Sequence, residues 1–290
     1  MITPHEHYPE LAKVIGLKKL YFKREDLHPY GSHKGRSIPF MIDYYYKKSD
    51  RKFAISSSGN AALAAALYAK ELNKINTEPI DLDIFVGNNV MPRKLEKLRK
   101  LADEHIRILI KERPLQALVQ AVQEGKRSLR QSTDDIALIG YESLARELAE
   151  IKGVGAIFIG TSSGTTAQAL AECFLKNKLP IQVHIIQTSS CHPIADTFES
   201  FSIPNEKSIA DAIVDQTAYR KDKLVQFIRK TGGRGWLAIN ENILNAQELV
   251  AKHTGLEIST NSALSIVGAM QAAYLGYEIK GAIVCMICGE

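Results

Sequence analysis

The sequence predicts an α/β protein built on parallel sheet. Apolar runs alternate with helical patterns almost to the end of the 290-residue chain. Several of those runs are apolar at nearly every position, which marks strands covered on both faces and joined by crossover helices. No internal repeat, low-complexity tract or linker interrupts the alternation, so any second domain is expected as an insertion within one α/β framework.

Taken in order, strands are expected at "KLYFK" (19–23), "FAISS" (53–57), "LDIFVG" (82–87), "IRILI" (106–110) and "IALIG" (136–140). Further strands follow at "AIFIG" (156–160), "QVHIIQT" (182–188), "WLAI" (236–239) and "AIVCMI" (282–287). Between them, amphipathic periodicity predicts helices over 59–73, 92–104, 114–129, 141–151, 164–177, 219–231, 242–254 and 260–275. Pro92 suits a first helical position, and Arg93, Lys94, Lys97 and Arg99 after it read as a solvated face.

Apolar residues make up 45% and charged residues 24% of the chain, which is ordinary for a folded globular protein. The net charge of +5 is spread along the sequence and forms no basic block, so nucleic acid is not an expected partner. Neither "AALAAALYA" nor "GAIVCMIC" approaches the roughly 18 apolar residues of a membrane span, and "MITPHEHYPE" lacks the order of a signal peptide. Four cysteines in a chain of this size do not make a disulfide framework. A cytoplasmic protein without a membrane partner is therefore expected.

Three loop-to-helix junctions carry possible chemistry. In "KREDLHPYGSHKGR", Lys34 sits between a histidine and a glycine after a charged cluster and a turn. In "SSSGNAALAAALYA", small residues at a strand end let a ligand approach the backbone, and the first helical turn offers unpaired N–H groups to a carboxylate. In "AIFIGTSSGTTAQALAECF", a hydroxyl-rich loop at a helix N-terminus has the composition of a phosphate cup. Ser, Thr, Gly and Asn are also ordinary capping and turn residues, and a lone lysine is ordinarily a surface charge. It is their order, each at the carboxyl end of a strand, that points to one ligand site.

Other sites are excluded on detail. There is no G-x-x-x-x-G-K-[ST], and "GVGAIF" precedes a strand where a dinucleotide motif would open a helix. "HEH" at 5–7 lacks helical metal-ligand spacing, and "CMIC" at 285–288 is a single C-x-x-C within an apolar strand, so no metal is expected.

"YFKREDLHPYGSHKGR" resembles the lysine motif of the tryptophan synthase β-like superfamily, the fold type II pyridoxal-phosphate enzymes. "SSSGNAALA" is similar to that family's S-S-G-N-x-[AG]-x-[AG] substrate loop, and "GTSSGTTAQ" to its phosphate loop. "SIADAI" (208–213), "TGGRGWLAINENILNAQELVAKHTGLEISTNSAL" (231–264) and "ICGE" extend the likeness over nearly the whole length. The resemblance implies two open, twisted, mostly parallel sheets flanked by helices. A larger cofactor-binding domain would comprise 1–34 and 141–290, with a smaller mobile domain, 35–140, inserted in it. It also implies pyridoxal 5'-phosphate as cofactor, an amino acid as substrate and a homodimer. The sequence stops at Glu290, where the family's pattern continues, so no C-terminal regulatory domain is expected.

The resemblance further implies roles. Lys34 would hold the cofactor by its amine and act as base at the substrate Cα. His33 would bond the cofactor phosphate or else serve as a buried spacer. Asn60 would bond the ring hydroxyl, while Ser57, Ser58, Gly59 and Asn60 would grip the substrate carboxylate. Thr161, Ser162, Ser163, Gly164 and Thr165 would hold the phosphate. Cys288 would face the pyridine nitrogen, unless it is only a small buried hydrophobe. Glu257 matches the E of the family's G-x-x-x-E-P-x-x-A segment. Departures are Ile258 for the proline, Tyr30 for a common threonine, and Ser162 and Ser163 for loop glycines.

Individual motifs lean toward different members of the superfamily. "KREDL" and "GSHK" lean to threonine synthases and tryptophan synthase β chains, the S-S-G-N-A-A helix to serine and threonine ammonia-lyases, and "GTSSGTT" to cysteine synthases. Elimination at Cβ of a small hydroxy or O-substituted amino acid is the favoured expectation. Replacement chemistry, or a catalytically silent relative acting through a partner, are the alternatives.

Overall fold

The computed structural model describes residues 2–199, 204 and 206–289, so Glu290 of "ICGE" lies outside the described residues. In chain order, β1 (His5–His7), α1 (Pro9–Val14) and β2 (Leu20–Arg24) precede α2 (Lys34–Tyr46), β3 (Lys52–Ser56), α3 (Asn60–Ile75) and β4 (Asp81–Gly87). Next come α4 (Pro92–Arg99), β5 (Ile106–Lys111), α5 (Pro114–Gln123), β6 (Arg127–Ser128), α6 (Ile136–Ile139) and α7 (Glu142–Ala149). The remainder is β7 (Val154–Gly160), α8 (Thr165–Lys176), β8 (Gln182–Thr188), α9 (Lys221–Thr231), β9 (Gly235–Ala238), α10 (Asn240–Thr254), α11 (Thr260–Tyr274) and β10 (Ala282–Ile287). The α/β architecture with two open, mostly parallel sheets is thus the one observed.

Two compact units divide the chain: the described residues of 1–27 and 141–290 form one, and 28–140 the other. The larger unit contains a six-stranded sheet in the order β1-β2-β10-β7-β8-β9. Only β1 runs antiparallel, with His5 opposite Lys23. β10 lies between β2 and β7, Val284 being level with Tyr21 on one side and Ile157 on the other. Each residue of β10 is buried, as its uninterrupted apolar run requires of a central strand. The smaller unit holds a four-stranded, wholly parallel sheet, β5-β4-β3-β6. Its core joins Ile38, Met41 and Ile42 of α2 to Phe53, Ile55, Leu82 and Ile84 of the sheet.

Some elements depart from the sequence expectation. "IALIG", read as a strand, forms the short helix α6 and a turn. The cause is local capping plus packing: Asp134 Oδ1 accepts the Ile136 N–H at 2.9 Å, and Ser37 of α2 donates its hydroxyl to the Ala137 carbonyl at 2.8 Å. A short apolar run has no periodicity to separate helix from strand. α2 is not among the expected helices, and it accommodates Pro39, a residue that normally breaks a helix. α4 stops at Arg99 and α5 at Gln123, each short of its expected end, and the pair Arg127–Ser128 beyond α5 is strand β6.

The charged "KREDL" run is part of the framework. Lys23 is fully buried and donates to the Thr3 carbonyl at 2.6 Å and to Glu147 Oε2 at 2.5 Å. Glu25, also fully buried, accepts the Thr3 hydroxyl. Arg24 is turned the other way and bonds both carboxylate oxygens of Asp26 together with Glu6 at 3.0 Å. Consecutive residues thus divide between two ionic groups: Lys23 on β2 and Glu25 in the short helical turn after it are buried, while Arg24 and Asp26 remain partly accessible.

On β8, His184 is fully buried and stacks on Phe158 at 4.4 Å between ring centroids. Trp236 Nε1–H donates to His184 Nδ1 at 3.0 Å, so the ring proton sits on Nε2, 3.0 Å from Gln182 Oε1. Burial, with Arg234 nearby, pushes the imidazole down to about 3 from its ordinary 6.5. The folded protein therefore holds the neutral ring while the unfolded chain protonates near 6.5. This contribution to stability is complete above that pH and is lost progressively as pH falls toward about 3. Lowering the pH from 7 to 5 should remove about 2 kcal/mol through this residue. In His184→Gln the decline in urea midpoint over that interval should be correspondingly shallower, and an unchanged decline would reject the assignment.

Candidate functional site

Parallel strands place the loops that follow them at one edge of each sheet. In the smaller unit, β3 ends at Ser56, and Ser57 to Gly59 lead into α3. The Ser57 N–H is held by the Phe85 carbonyl at 3.2 Å, and the Gly59 N–H meets Ser57 Oγ at 3.3 Å. The N–H groups of Ser58, Asn60, Ala61 and Ala62 donate to no acceptor among the described residues. They are the open first turn of a 16-residue helix, a suitable seat for a carboxylate.

Lys34 opens α2 of the same unit, and its N–H meets Ser32 Oγ at 3.2 Å. Ser32 and His33 are buried, whereas Lys34 is partly accessible. A Cβ on Gly35 would stand 2.3 Å from His28 Nδ1, so only glycine lets that ring pack beneath the lysine's turn. The same His28 Nδ1 accepts the Tyr30 N–H at 3.2 Å. Tyr30 in turn donates its hydroxyl to Glu71 at 2.7 Å. Burial, reinforced by Glu71, raises its phenol above the ordinary value.

In the larger unit, β7 runs into the loop 161–164 and α8. Thr161 is fully engaged by the protein: its N–H donates to Ile186 O at 2.9 Å and its hydroxyl to Ile159 O at 3.0 Å. It therefore supports the loop and has no proton left for a ligand. Main-chain N–H groups from Ser162 through Ala167, by contrast, donate to nothing among the described residues. Gly164 has φ +87°, and a Cβ there would lie 2.5 Å from Leu224 Cδ2. Ser163 and Thr165 share one hydroxyl hydrogen bond at 3.1 Å, which leaves the pair one free proton. A row of N–H donors with hydroxyls at the start of a 12-residue helix suits a phosphate dianion.

The loop is braced from beneath by Gln187, which is fully buried on β8. Its Nε2 donates to Thr161 O at 3.2 Å, while Oε1 accepts the Ile194 and Ala195 N–H groups at 2.8 and 2.9 Å. Sequence reasoning passed over this residue. The available signal was an amide directly after the apolar pair Ile185–Ile186 near the end of β8.

Cys288 follows β10 and is buried. Ser262 Oγ, in the first turn of α11, accepts the Cys288 N–H at 3.1 Å, and Ser259 Oγ donates to Gly289 O at 2.6 Å. Two serines that the sequence reading did not single out thus fix the main chain at this cysteine. Glu257 is exposed, and its carboxylate makes no hydrogen bond among the described residues, so its assignment rests on the resemblance alone.

A model of the pyridoxal-phosphate dependent enzyme family matches residues 2–289. The chain belongs to that family. Within it, the protein is similar to a threonine synthase of Methanosarcina acetivorans, 25% identical over 99% of this chain and 74% of the relative. An L-serine dehydratase/L-threonine deaminase of Bos taurus is 24% identical over 73% of this chain and 66% of the relative. Among solved structures, a pyridoxal 5'-phosphate-dependent aspartate racemase superimposes with TM-score 0.83 and 20% identity, covering all of this chain and 90% of the other. Threonine deaminase isoform 2 of Solanum lycopersicum gives 0.81 and 20%, over 99% and 78%. At such identities the solved structures speak to the fold of this pyridoxal-phosphate enzyme. No helix among its described residues is long and apolar enough to cross a membrane, and no group of metal-binding side chains occurs among them.

Replacing Gln187 by Leu would leave the Ile194 and Ala195 N–H groups buried without an acceptor. The expected cost is roughly 2–4 kcal/mol, read as a lower urea midpoint at pH 7. A loss below about 1 kcal/mol would mean that the brace is dispensable.

Proposed function

We propose that the protein is a lyase that uses pyridoxal phosphate to remove the Cβ substituent of a small hydroxy or O-substituted amino acid, serine and threonine being favoured. The observation that carries this reading is the pair of unpaired N–H rows, one opening α3 and one opening α8, in a member of this enzyme family. The first suits a substrate carboxylate and the second a phosphate dianion. When bound, the cofactor supplies the electron sink that acidifies the substrate Cα–H.

Lys34 holds the cofactor by its amine and afterwards takes the Cα proton, a role that needs the partial exposure seen for its side chain. Ser57, Ser58 and Gly59 orient the carboxylate, and Asn60 bonds the ring hydroxyl. Ser162, Ser163, Gly164 and Thr165 bind the phosphate, with Thr161 as support. Cys288 would lie toward the ring nitrogen. A thiol is a neutral, weak donor, so it leaves that nitrogen without a full proton and favours loss of a Cβ group over transamination.

A second reading, threonine synthase-like replacement, is favoured by one observation: threonine synthases match 99% of this chain, whereas the dehydratase matches 73%. Retention of Lys34 speaks against a silent relative, which has no chemical need for that amine.

Purified protein should be yellow, and Lys34→Ala should lose the colour together with about 10²–10⁴-fold in turnover. A colourless wild-type protein that takes up no pyridoxal phosphate refutes the cofactor assignment. Keto acid formed from L-serine or L-threonine supports elimination. Threonine and phosphate released from O-phosphohomoserine would replace it with the second reading, and interconversion of serine or aspartate enantiomers without keto acid would refute both.

A further inference from the structure

Residues 206–216, between β8 and α9, form an irregular segment held almost wholly by side chains of other elements in the larger unit. Asn240 accepts the Ile209 N–H at 2.9 Å and donates to Lys207 O at 3.0 Å. Asn261 accepts the Ala212 N–H at 3.0 Å and donates to Asp211 Oδ1 at 3.0 Å. Ser190 Oγ accepts the Ser208 N–H at 3.3 Å. The final tie comes from the loop before α8: Ser162 Oγ accepts both the Val214 and the Asp215 N–H, each at 3.1 Å.

This last contact fixes what Ser162 can do. A serine hydroxyl has two acceptor lone pairs and one proton. With both lone pairs taken by Val214 and Asp215, it can act toward a ligand only as a donor. Thr161 has spent its proton on Ile159 and the Ser163–Thr165 pair keeps one free proton between them, so Ser162 supplies one of the two hydroxyl protons that residues 161–165 can offer. Donation from Ser162 to an anion makes its oxygen a better acceptor and strengthens both bonds to the segment. Conversely, a docked segment holds the hydroxyl as a ready donor.

We propose that Ser162 is a positioning residue that couples anion binding at the 162–165 loop to docking of segment 206–216. The coupling rests on the phosphate role proposed above for that loop, and it is reciprocal: ligand phosphate orders the segment, and the docked segment tightens phosphate binding. A glycine at this position would leave the N–H groups open but cut the connection.

Trypsin cleavage after Lys207, which is exposed, reports on the segment. In the wild type, pyridoxal 5'-phosphate should slow this cleavage, and pyridoxal, which lacks the phosphate, should slow it less. In Ser162→Ala, cleavage without ligand should be roughly tenfold faster, as expected for two lost hydrogen bonds. The protection given by the phosphate should also shrink toward that given by pyridoxal, and cofactor affinity should fall. A merely structural serine would speed cleavage equally with and without ligand and leave the protection ratio as in the wild type, which overturns the inference. So does wild-type cofactor affinity in Ser162→Ala. If the wild type takes up no pyridoxal 5'-phosphate at all, the proposed function fails as well, which distinguishes the two failures.

Discussion

A parallel strand followed by a crossover helix delivers that helix with its first N–H groups unpaired at the carboxyl edge of the sheet. This constraint shapes the candidate loop of each unit. Both sheets are parallel along the strands that matter, so the openings of α3 and α8 are rows of donors that the fold cannot satisfy internally. Within the described residues no carbonyl or side chain fills them, and an anion is the natural complement. The rest of the loop chemistry serves to keep these rows open: Thr161 is tied back to β7 and β8, Gln187 braces the turn, and Gly164 takes a left-handed conformation beside Leu224.

Much of this was legible in the sequence, for physical reasons. Strands buried on both faces must be apolar almost throughout, so β7, β8 and β10 announced themselves, and with them the parallel sheets. Loops with ligand chemistry use small and hydroxylic residues in fixed order, so 57–60 and 161–165 stood out. Harder to see were features decided by tertiary contact. α2 survives Pro39 because Ile38, Met41 and Ile42 are packed in the smaller core, and α6 overrides a strand-like composition through Asp134 and Ser37. Ser162 stood out as a departure from loop glycines, but its two acceptor bonds to a segment some fifty residues downstream leave no mark in the local sequence.

The charged residues divide in the same way. Composition marks "KREDL" as a dense, solvated-looking cluster, yet Lys23 near the end of β2 and Glu25 in the short helical turn after it are buried, while Arg24 and Asp26 remain partly accessible. A buried lysine with a carboxylate and a carbonyl partner is tolerated because all its partners come from the same unit and satisfy it with direct hydrogen bonds. Its removal would take one buried donor from the Glu147 carboxylate and from the Thr3 carbonyl. The run is thus better understood as part of the larger unit's framework than as part of any ligand chemistry.

The position of β10 has a consequence for the order of assembly. Residues 282–287 fill the gap between β2 and β7, so the six-stranded sheet cannot close until those residues have left the ribosome. Residues 28–140 need no such late arrival and have their own sheet and core. During synthesis the smaller unit can therefore be finished while β2 and β7 still expose strand edges awaiting their middle member. The larger unit is vulnerable to mispairing in that interval, and the buried ionic group around Lys23, with partners spread from Thr3 to Glu147, is available to hold its early parts in register until β10 is supplied.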